Sequence, residues 1–222
     1  MTELKPHQRV NDILLAGLEK PALQWFAARM PAWVTPDVLT FVGILGAVFI
    51  LLGYLGSNYS SGFLWLASFG FVVNWFGDSL DGTLARYRKI ERPKYGFFVD
   101  HTVDAFNEVL IVIGLGLSPY VNFNVACLAL IGYLLMSVLV YIRTYIEGVF
   151  QLSYGRFGPT EVRVILILLN TVMFVVGIPN IELPLGLTTI YDIPISIIAA
   201  ILGILFVTGS IKNAIALSKL EE

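Results

Sequence analysis

Long apolar stretches alternate with short polar segments along most of this chain. Six of them approach the roughly 20 residues that a helix needs to cross a bilayer. They run over about residues 38–56, 62–82, 97–117, 125–146, 162–177 and 193–211. The fifth is short unless its helix starts near Pro159. The pattern predicts an all-α integral membrane protein with six transmembrane helices and no second globular domain.

A more polar segment precedes the first apolar stretch. Between residues 10 and 30, apolar and charged positions recur at roughly helical spacing, interrupted by Pro21. This spacing indicates an amphipathic helix that lies in the membrane interface, packs on the bundle, or does both. Thr35 and Pro36 fit the N-cap and first position of the next helix. We therefore expect an N-terminal amphipathic cytoplasmic or interfacial segment, 1–37, and a transmembrane domain, 38–222.

The composition supports the membrane class. Hydrophobic residues make up 57% of the chain and charged residues 14%, against about 45–50% and about 25% in soluble domains. The net charge is −2 and no basic patch is interleaved with aromatic residues, so we expect no nucleic-acid partner. The lone Cys127 excludes an intramolecular disulfide.

The positive charges predict the orientation in the membrane. All 14 lysines and arginines lie before the first stretch, between or beside the second and third, around the connection from the fourth to the fifth, or after the sixth. The other three connections contain none. The positive-inside rule makes the charged side cytoplasmic, with both termini there, and the membrane is the inner one if the protein is bacterial.

Four carboxylates lie where a membrane helix should avoid them. Asp78 and Asp81 close the second stretch, and Asp100 and Asp104 open the third. Each buried charge costs about 2.5–3.5 kcal/mol at mid-helix. Because spacings of three and four residues place each pair on one helix face, two antiparallel helices can bring all four together. Oxygen ligands suit Mg²⁺ or Mn²⁺, and four carboxylates balance the charge of two such ions.

Small residues surround these acids. Gly82, Ala85 and Gly96 let a ligand or a second backbone come close, although helix packing alone would also explain each of them. Arg86 is either a forked phosphate donor or an anchor of the positive-inside kind.

Residues 78–86 (DSLDGTLAR) and 96–104 (GFFVDHTVD) together resemble the signature of the CDP-alcohol phosphotransferase family. That signature is D-x-x-D-G-x-x-A-R, a spacer, then G-x-x-x-D-x-x-x-D, and every fixed position matches. Family members also have six spans, an amphipathic N-terminal segment and a cytoplasmic active site. The resemblance implies an enzyme of phospholipid biosynthesis that moves a substituted phosphoryl group from a CDP-linked donor to an alcohol acceptor and releases CMP. The resemblance also implies that residues 38–222 form the catalytic domain and that membrane lipids are partners. A homodimer is compatible with it.

The resemblance assigns roles to the acids. Asp78, Asp81 and Asp100 would hold two Mg²⁺ or Mn²⁺ ions, and Asp104 would complete that site and act as general base. His101 departs from several branches of the family, and it either shares the base role with Asp104 or is a hydrogen-bonded interfacial histidine.

The resemblance also assigns the substrate contacts. The nucleotide-binding positions would be Asp37, Thr40, Asp78, Gly82, Ala85 and Arg86. A second group of cations lies near a Gly-Pro-x-Glu segment, residues 158–161, that resembles one bordering the family's substrate site. Arg143, Arg156 and Arg163 of this group suit an acceptor or lipid phosphate, or else anchor the protein to anionic headgroups.

Two versions of the reaction remain open, together with one different function. The favoured donor is CDP-diacylglycerol with a small polar acceptor, because the chain is short and has six predicted spans. The alternative is a CDP-choline or CDP-ethanolamine donor with diacylglycerol as acceptor, which His101 favours. A cation transporter that uses the same carboxylates is a remote alternative, because the acids lie near one membrane face.

Overall fold

The computed structural model describes residues 14–147, 158–179 and 189–219, and over these ranges the chain is helical. The helices are α1 (Ala16–Arg29), α2 (Pro36–Gly56), α3 (Phe63–Arg88), α4 (Pro93–Gly116), α5 (Phe123–Glu147), α6 (Pro159–Val176) and α7 (Asp192–Ser218). Each of the six apolar stretches corresponds to one of α2 to α7. The all-α prediction is confirmed, and α6 does begin at Pro159.

Five of these helices are long and apolar enough to cross a membrane, namely α2, α3, α5, α6 and α7. The chain is therefore a multi-pass integral membrane protein. Helix α4 has 24 residues but carries Asp100, Asp104 and Glu108 in its interior. Because of these charges α4 is not among the five helices, so its crossing of the membrane, and with it the total of six spans, stays a prediction.

Helices α2 and α3 pack with their backbones in close contact. A Cβ atom on Gly46 would lie 2.3 Å from the Asn74 backbone nitrogen, and one on Gly77 would lie 2.3 Å from that of Gly43. Only glycine fits such an approach. The contact fixes the register of α3 on α2 and hence the height at which α3 presents Asp78.

The first turns of α2 and α6 follow local sequence signals. Thr35 accepts a hydrogen bond from the Val38 amide, and Pro36 opens α2, as the sequence predicts. Pro159 opens α6, where Glu161 accepts a hydrogen bond from the Gly158 amide. Both helices begin at the end of the bundle where α3 ends and α4 begins. We call this end the charged end.

Helix α1 packs across the charged end. Leu23 and Ala27 are buried against Leu39, Leu80 and Leu84, so packing on the bundle is confirmed. The predicted interruption at Pro21 is wrong, because this residue lies inside α1. Proline removes one backbone hydrogen bond there, and burial of the following two turns holds the helix together.

Polar contacts tie α1 to its neighbours. Glu19 accepts hydrogen bonds from the Trp75 indole and the Thr160 hydroxyl, each at 2.8 Å. Glu161 also accepts a hydrogen bond from the Leu15 amide at 2.8 Å. The start of α6 is thus held against α1 on both sides of its first turn.

Candidate functional site

Helices α3 and α4 bring three aspartates together at the charged end. Carboxylate oxygens of Asp78, Asp100 and Asp104 all lie within 4.8 Å of one another, and we call these residues the aspartate cluster. Asp100 and Asp104 share a face of α4, one turn apart. Oxygen ligands this close together suit a hard divalent cation such as Mg²⁺ or Mn²⁺. The residues present therefore fit the predicted metal.

Asp81 lies outside the aspartate cluster. One of its carboxylate oxygens accepts a hydrogen bond from the Thr40 hydroxyl at 2.6 Å, and the other accepts one from the Gly82 amide. The structure therefore brings together three of the four predicted metal-binding aspartates. It also pairs the fourth with Thr40, which the sequence assigns to the nucleotide.

Arg163 reaches the aspartate cluster from α6. Its Nη2 donates to an Asp78 oxygen at 2.6 Å, and its Nε donates to the Asn74 amide oxygen at 2.9 Å. Asn74 in turn donates to the Gly43 carbonyl at 2.9 Å. The guanidinium is thus anchored at two positions one turn apart on the same face of α3.

The small residues of the signature do not pack like those between α2 and α3. A Cβ atom on Gly96 meets nothing within 4 Å in the described part of the chain. One on Gly82 meets only the Arg86 guanidinium, at 3.3 Å. Helix packing among the described residues therefore does not account for either glycine. Ala85 is half-buried one turn from the acids, as expected.

Arg86 folds back along α3. It is exposed and donates to the Thr83 hydroxyl at 3.2 Å, and its guanidinium covers the open space at Gly82. Asp37, at the start of α2, forms an exposed ion pair with Arg92.

His101 is directed toward the interior of the bundle. Its Nδ1 lies 2.8 Å from the Phe97 carbonyl and 3.7 Å from an Asp100 oxygen. Its ring stacks on Phe97 and meets the edge of Tyr141 on α5. These contacts fix the ring beside the aspartate cluster, with Asp100 as its nearest acid.

The remaining predicted cations differ in placement. Arg143 is half-buried near the end of α5. Arg156 lies outside the described residues. Arg163 contacts the aspartate cluster through Asp78.

Two polar groups at the site have roles that the sequence did not assign. Asn74 orients Arg163, and Glu161 joins the start of α6 to α1. Neither partner could be identified from spacing, because each lies more than 80 residues away along the chain.

Comparisons with known proteins point to one family. A profile of the family described as CDP-alcohol phosphatidyltransferase matches residues 33–210, which is well over half of the chain. Phosphatidylinositol phosphate synthase of Cutibacterium acnes is 38% identical over 91 residues, covering 40% of this chain and 41% of that protein. Cholinephosphotransferase 1 of Danio rerio is 26% identical over 164 residues, covering 69% of this chain and 42% of that protein.

Two further proteins are similar. Archaetidylinositol phosphate synthase of Pyrococcus horikoshii is 33% identical over 104 residues, covering 47% of this chain and 52% of that protein. These alignments cover about half or less of each curated relative. The crystal structure of Mycobacterium tuberculosis phosphatidylinositol phosphate synthase with CDP-DAG bound has the same fold. The TM-score is 0.53 at 22% identity, covering 87% of this chain and 92% of that one.

Proposed function

Because the chain belongs to the CDP-alcohol phosphatidyltransferase family, we propose that it transfers a substituted phosphoryl group from a CDP-linked donor to an alcohol acceptor. The aspartate cluster is the observation that carries this proposal. Three acids pooled within 4.8 Å at one end of a membrane bundle repel each other strongly, and a divalent cation offsets that repulsion.

The residues of the cluster have distinct tasks in this reaction. Asp78, Asp100 and Asp104, with Asp81 beside them, would hold one or two Mg²⁺ or Mn²⁺ ions. When bound, such ions neutralise the donor's diphosphate and stabilise CMP as leaving group. Asp104 would accept the proton of the acceptor hydroxyl. The hydroxyl oxygen would then bond to the donor phosphorus farther from the cytidine, and the diphosphate P–O bond would break, with its electron pair leaving on CMP.

Space and positive charge for the nucleotide lie beside the acids. Gly82 and Gly96 leave room that a side chain would fill, and the Arg86 guanidinium lies beside Gly82. A guanidinium pairs well with phosphate oxygens. Thr40, held on Asp81, would approach the nucleotide from α2.

CDP-diacylglycerol is the favoured donor, with a small polar alcohol as acceptor. Two of the similar proteins are named for synthesis of an inositol phosphate lipid. The match to a cholinephosphotransferase and the His101–Asp100 pair favour the alternative, a CDP-aminoalcohol donor with diacylglycerol as acceptor. In both versions α4 would be the sixth span, and the charged end would face the cytoplasm because the cations gather there.

CMP release by the purified protein tests the proposal. The full chain in detergent with Mn²⁺ or Mg²⁺ should release CMP from CDP-diacylglycerol when a suitable small alcohol is present, and CDP-choline and CDP-ethanolamine with diacylglycerol serve as the competing pair. Asp104→Asn should reduce release at least 10³-fold, because the amide cannot take the proton. The matched control is Glu91→Gln, an exposed acid between α3 and α4, which should retain full activity.

The outcome also separates the competing functions. Release only from the aminoalcohol donors would replace the favoured donor. Absence of CMP release from every donor, together with nucleotide-independent cation flux in vesicles, would favour the transporter.

A further inference from the structure

Arg163 binds a carboxylate that the proposed function assigns to a metal. Its Nη2 lies 2.6 Å from Asp78 Oδ2, and both side chains are largely withdrawn from solvent, with 13% and 20% of their surfaces exposed. Such a charge-assisted contact is strong where water is scarce. A divalent ion at the aspartate cluster therefore meets an existing positive charge on one of its ligands.

The guanidinium is held for this contact. Nε is fixed on Asn74, whose amide is itself fixed on the Gly43 carbonyl. Nη1 is buried without a hydrogen-bond partner among the described residues. Asp104 and Glu108 also lie within electrostatic range of Arg163. Arg163 thus faces three acids, and its Nη1 has no hydrogen-bond partner in the described part of the chain.

We propose that Arg163 is the built-in counter-ion of the aspartate cluster and competes with the divalent cation for Asp78. Without the ion, the guanidinium offsets the repulsion among the acids and stabilises the bundle. When the ion binds, the two positive charges repel, and Asp78 exchanges the guanidinium for the metal. The released Nη2 and the already unpaired Nη1 are then available to a phosphate oxygen of the substrate, while Asn74 keeps the side chain nearby.

This inference rests on the proposed function, since it requires that the cluster bind a divalent ion. It differs from the ordinary view of such an arginine as a support that orients a metal ligand. A support helps the metal bind, so its removal weakens metal affinity. A competitor opposes the metal, so its removal strengthens metal affinity.

Mn²⁺ binding measured without any substrate distinguishes a supporting role of Arg163 from a competing one. The full-length protein in detergent is titrated with Mn²⁺, and free Mn²⁺ is followed by electron paramagnetic resonance. Arg163→Gln should bind Mn²⁺ at least tenfold more tightly than the wild type. Arg163→Lys keeps the charge but loses the fork, so its affinity should rise by less, about two- to fivefold. Arg29→Gln removes an exposed cation stacked on Trp25, away from the site, and should leave the affinity unchanged.

Thermal stability supplies a second measurement. Without divalent ions, Arg163→Gln should melt below the wild type, because the acids lose their counter-ion, and Mn²⁺ should raise its midpoint more than that of the wild type. Unchanged or weaker Mn²⁺ binding in both Arg163 variants would overturn the inference while leaving the metal site intact. If neither the wild type nor any variant binds Mn²⁺, both the inference and the metal site of the proposed function fail.

Discussion

Two polar clusters inside this bundle are built on opposite principles. The first, which we call the amide network, consists of Tyr54, Ser68 and Asn170, all buried. The Tyr54 hydroxyl donates to the Asn170 oxygen at 2.9 Å, and the Asn170 amide donates to the Ser68 hydroxyl at 3.2 Å. Donors alternate with acceptors, so these groups satisfy one another. Buried polar groups paired in this way join α2, α3 and α6 at little cost.

The aspartate cluster, by contrast, contains only acceptors of the same charge. Two unit charges about 6 Å apart repel by roughly 3 kcal/mol at an effective dielectric constant of 20. Arg163 offsets part of this repulsion through Asp78. The cluster requires a cation that the chain does not fully supply. The amide network, whose groups satisfy one another, therefore serves to hold the helices together. The aspartate cluster, which needs an added cation, is instead the candidate functional site.

Substituting one residue in the aspartate cluster and one in the amide network gives the largest expected effects on CMP release and thermal stability. Asp100→Asn removes a metal ligand and one repelling charge, so CMP release should fall at least 10³-fold while the melting midpoint without divalent ions stays equal or rises. Asn170→Leu leaves the Tyr54 hydroxyl unpaired at a cost of about 1–3 kcal/mol. Its midpoint should fall by several degrees, with CMP release per folded molecule unchanged. Thermal melting in detergent and CMP assays on the folded fraction measure both.

The opposite outcomes would contradict this contrast between the aspartate cluster and the amide network. If Asp100→Asn melts clearly lower in the absence of metal, the cluster stabilises the fold. If Asn170→Leu lowers the activity of the folded fraction, the amide network extends to the site.

Two glycines give a second, smaller contrast. Gly46 lies in the contact between α2 and α3, and Gly96 lies one turn before Asp100 on α4. Gly46→Ala places a methyl group 2.3 Å from the Asn74 backbone, so we expect a loss of about 3 kcal/mol, the upper end for overpacking. Gly96→Ala meets nothing within 4 Å in the described structure. Its melting midpoint should match the wild type, and CMP release should fall about tenfold if the nucleotide fills that space. Equal melting of the two variants would show that α2 and α3 can separate freely.

The sequence predicted those features that depend on local spacing. Helix positions followed from apolar length, because a bilayer imposes it. The start of α2 followed from Thr35 and Pro36. The pairing of Asp100 with Asp104 followed from their four-residue spacing, and their approach to Asp78 followed from the packing of two consecutive antiparallel helices.

Features that depend on distant partners were not predictable in this way. Asp81 takes its hydrogen bond from Thr40, 41 residues earlier, and Asp78 pairs with Arg163, 85 residues later. No periodicity marks such pairs. Pro21 does not interrupt α1, because the packing of this helix on the bundle outweighs a local helix breaker.

The hydrogen bond between Thr40 and Asp81 gives the smallest expected effect. These two side chains satisfy each other, but they lie next to the aspartate cluster, whose acids need a cation. Thr40→Val keeps the shape and removes the hydroxyl that Asp81 accepts from. Stability should change by at most about 1 kcal/mol, the usual net value of one hydrogen bond. The Mn²⁺ concentration needed for half-maximal CMP release should rise about three- to tenfold, because Asp81 loses its orientation. Thr102→Val, at an exposed position on α4, is the control and should change neither value. An unchanged Mn²⁺ dependence in Thr40→Val would mean that Asp81 serves only to hold α2 against α3, and that the aspartate cluster binds the metal with three carboxylates.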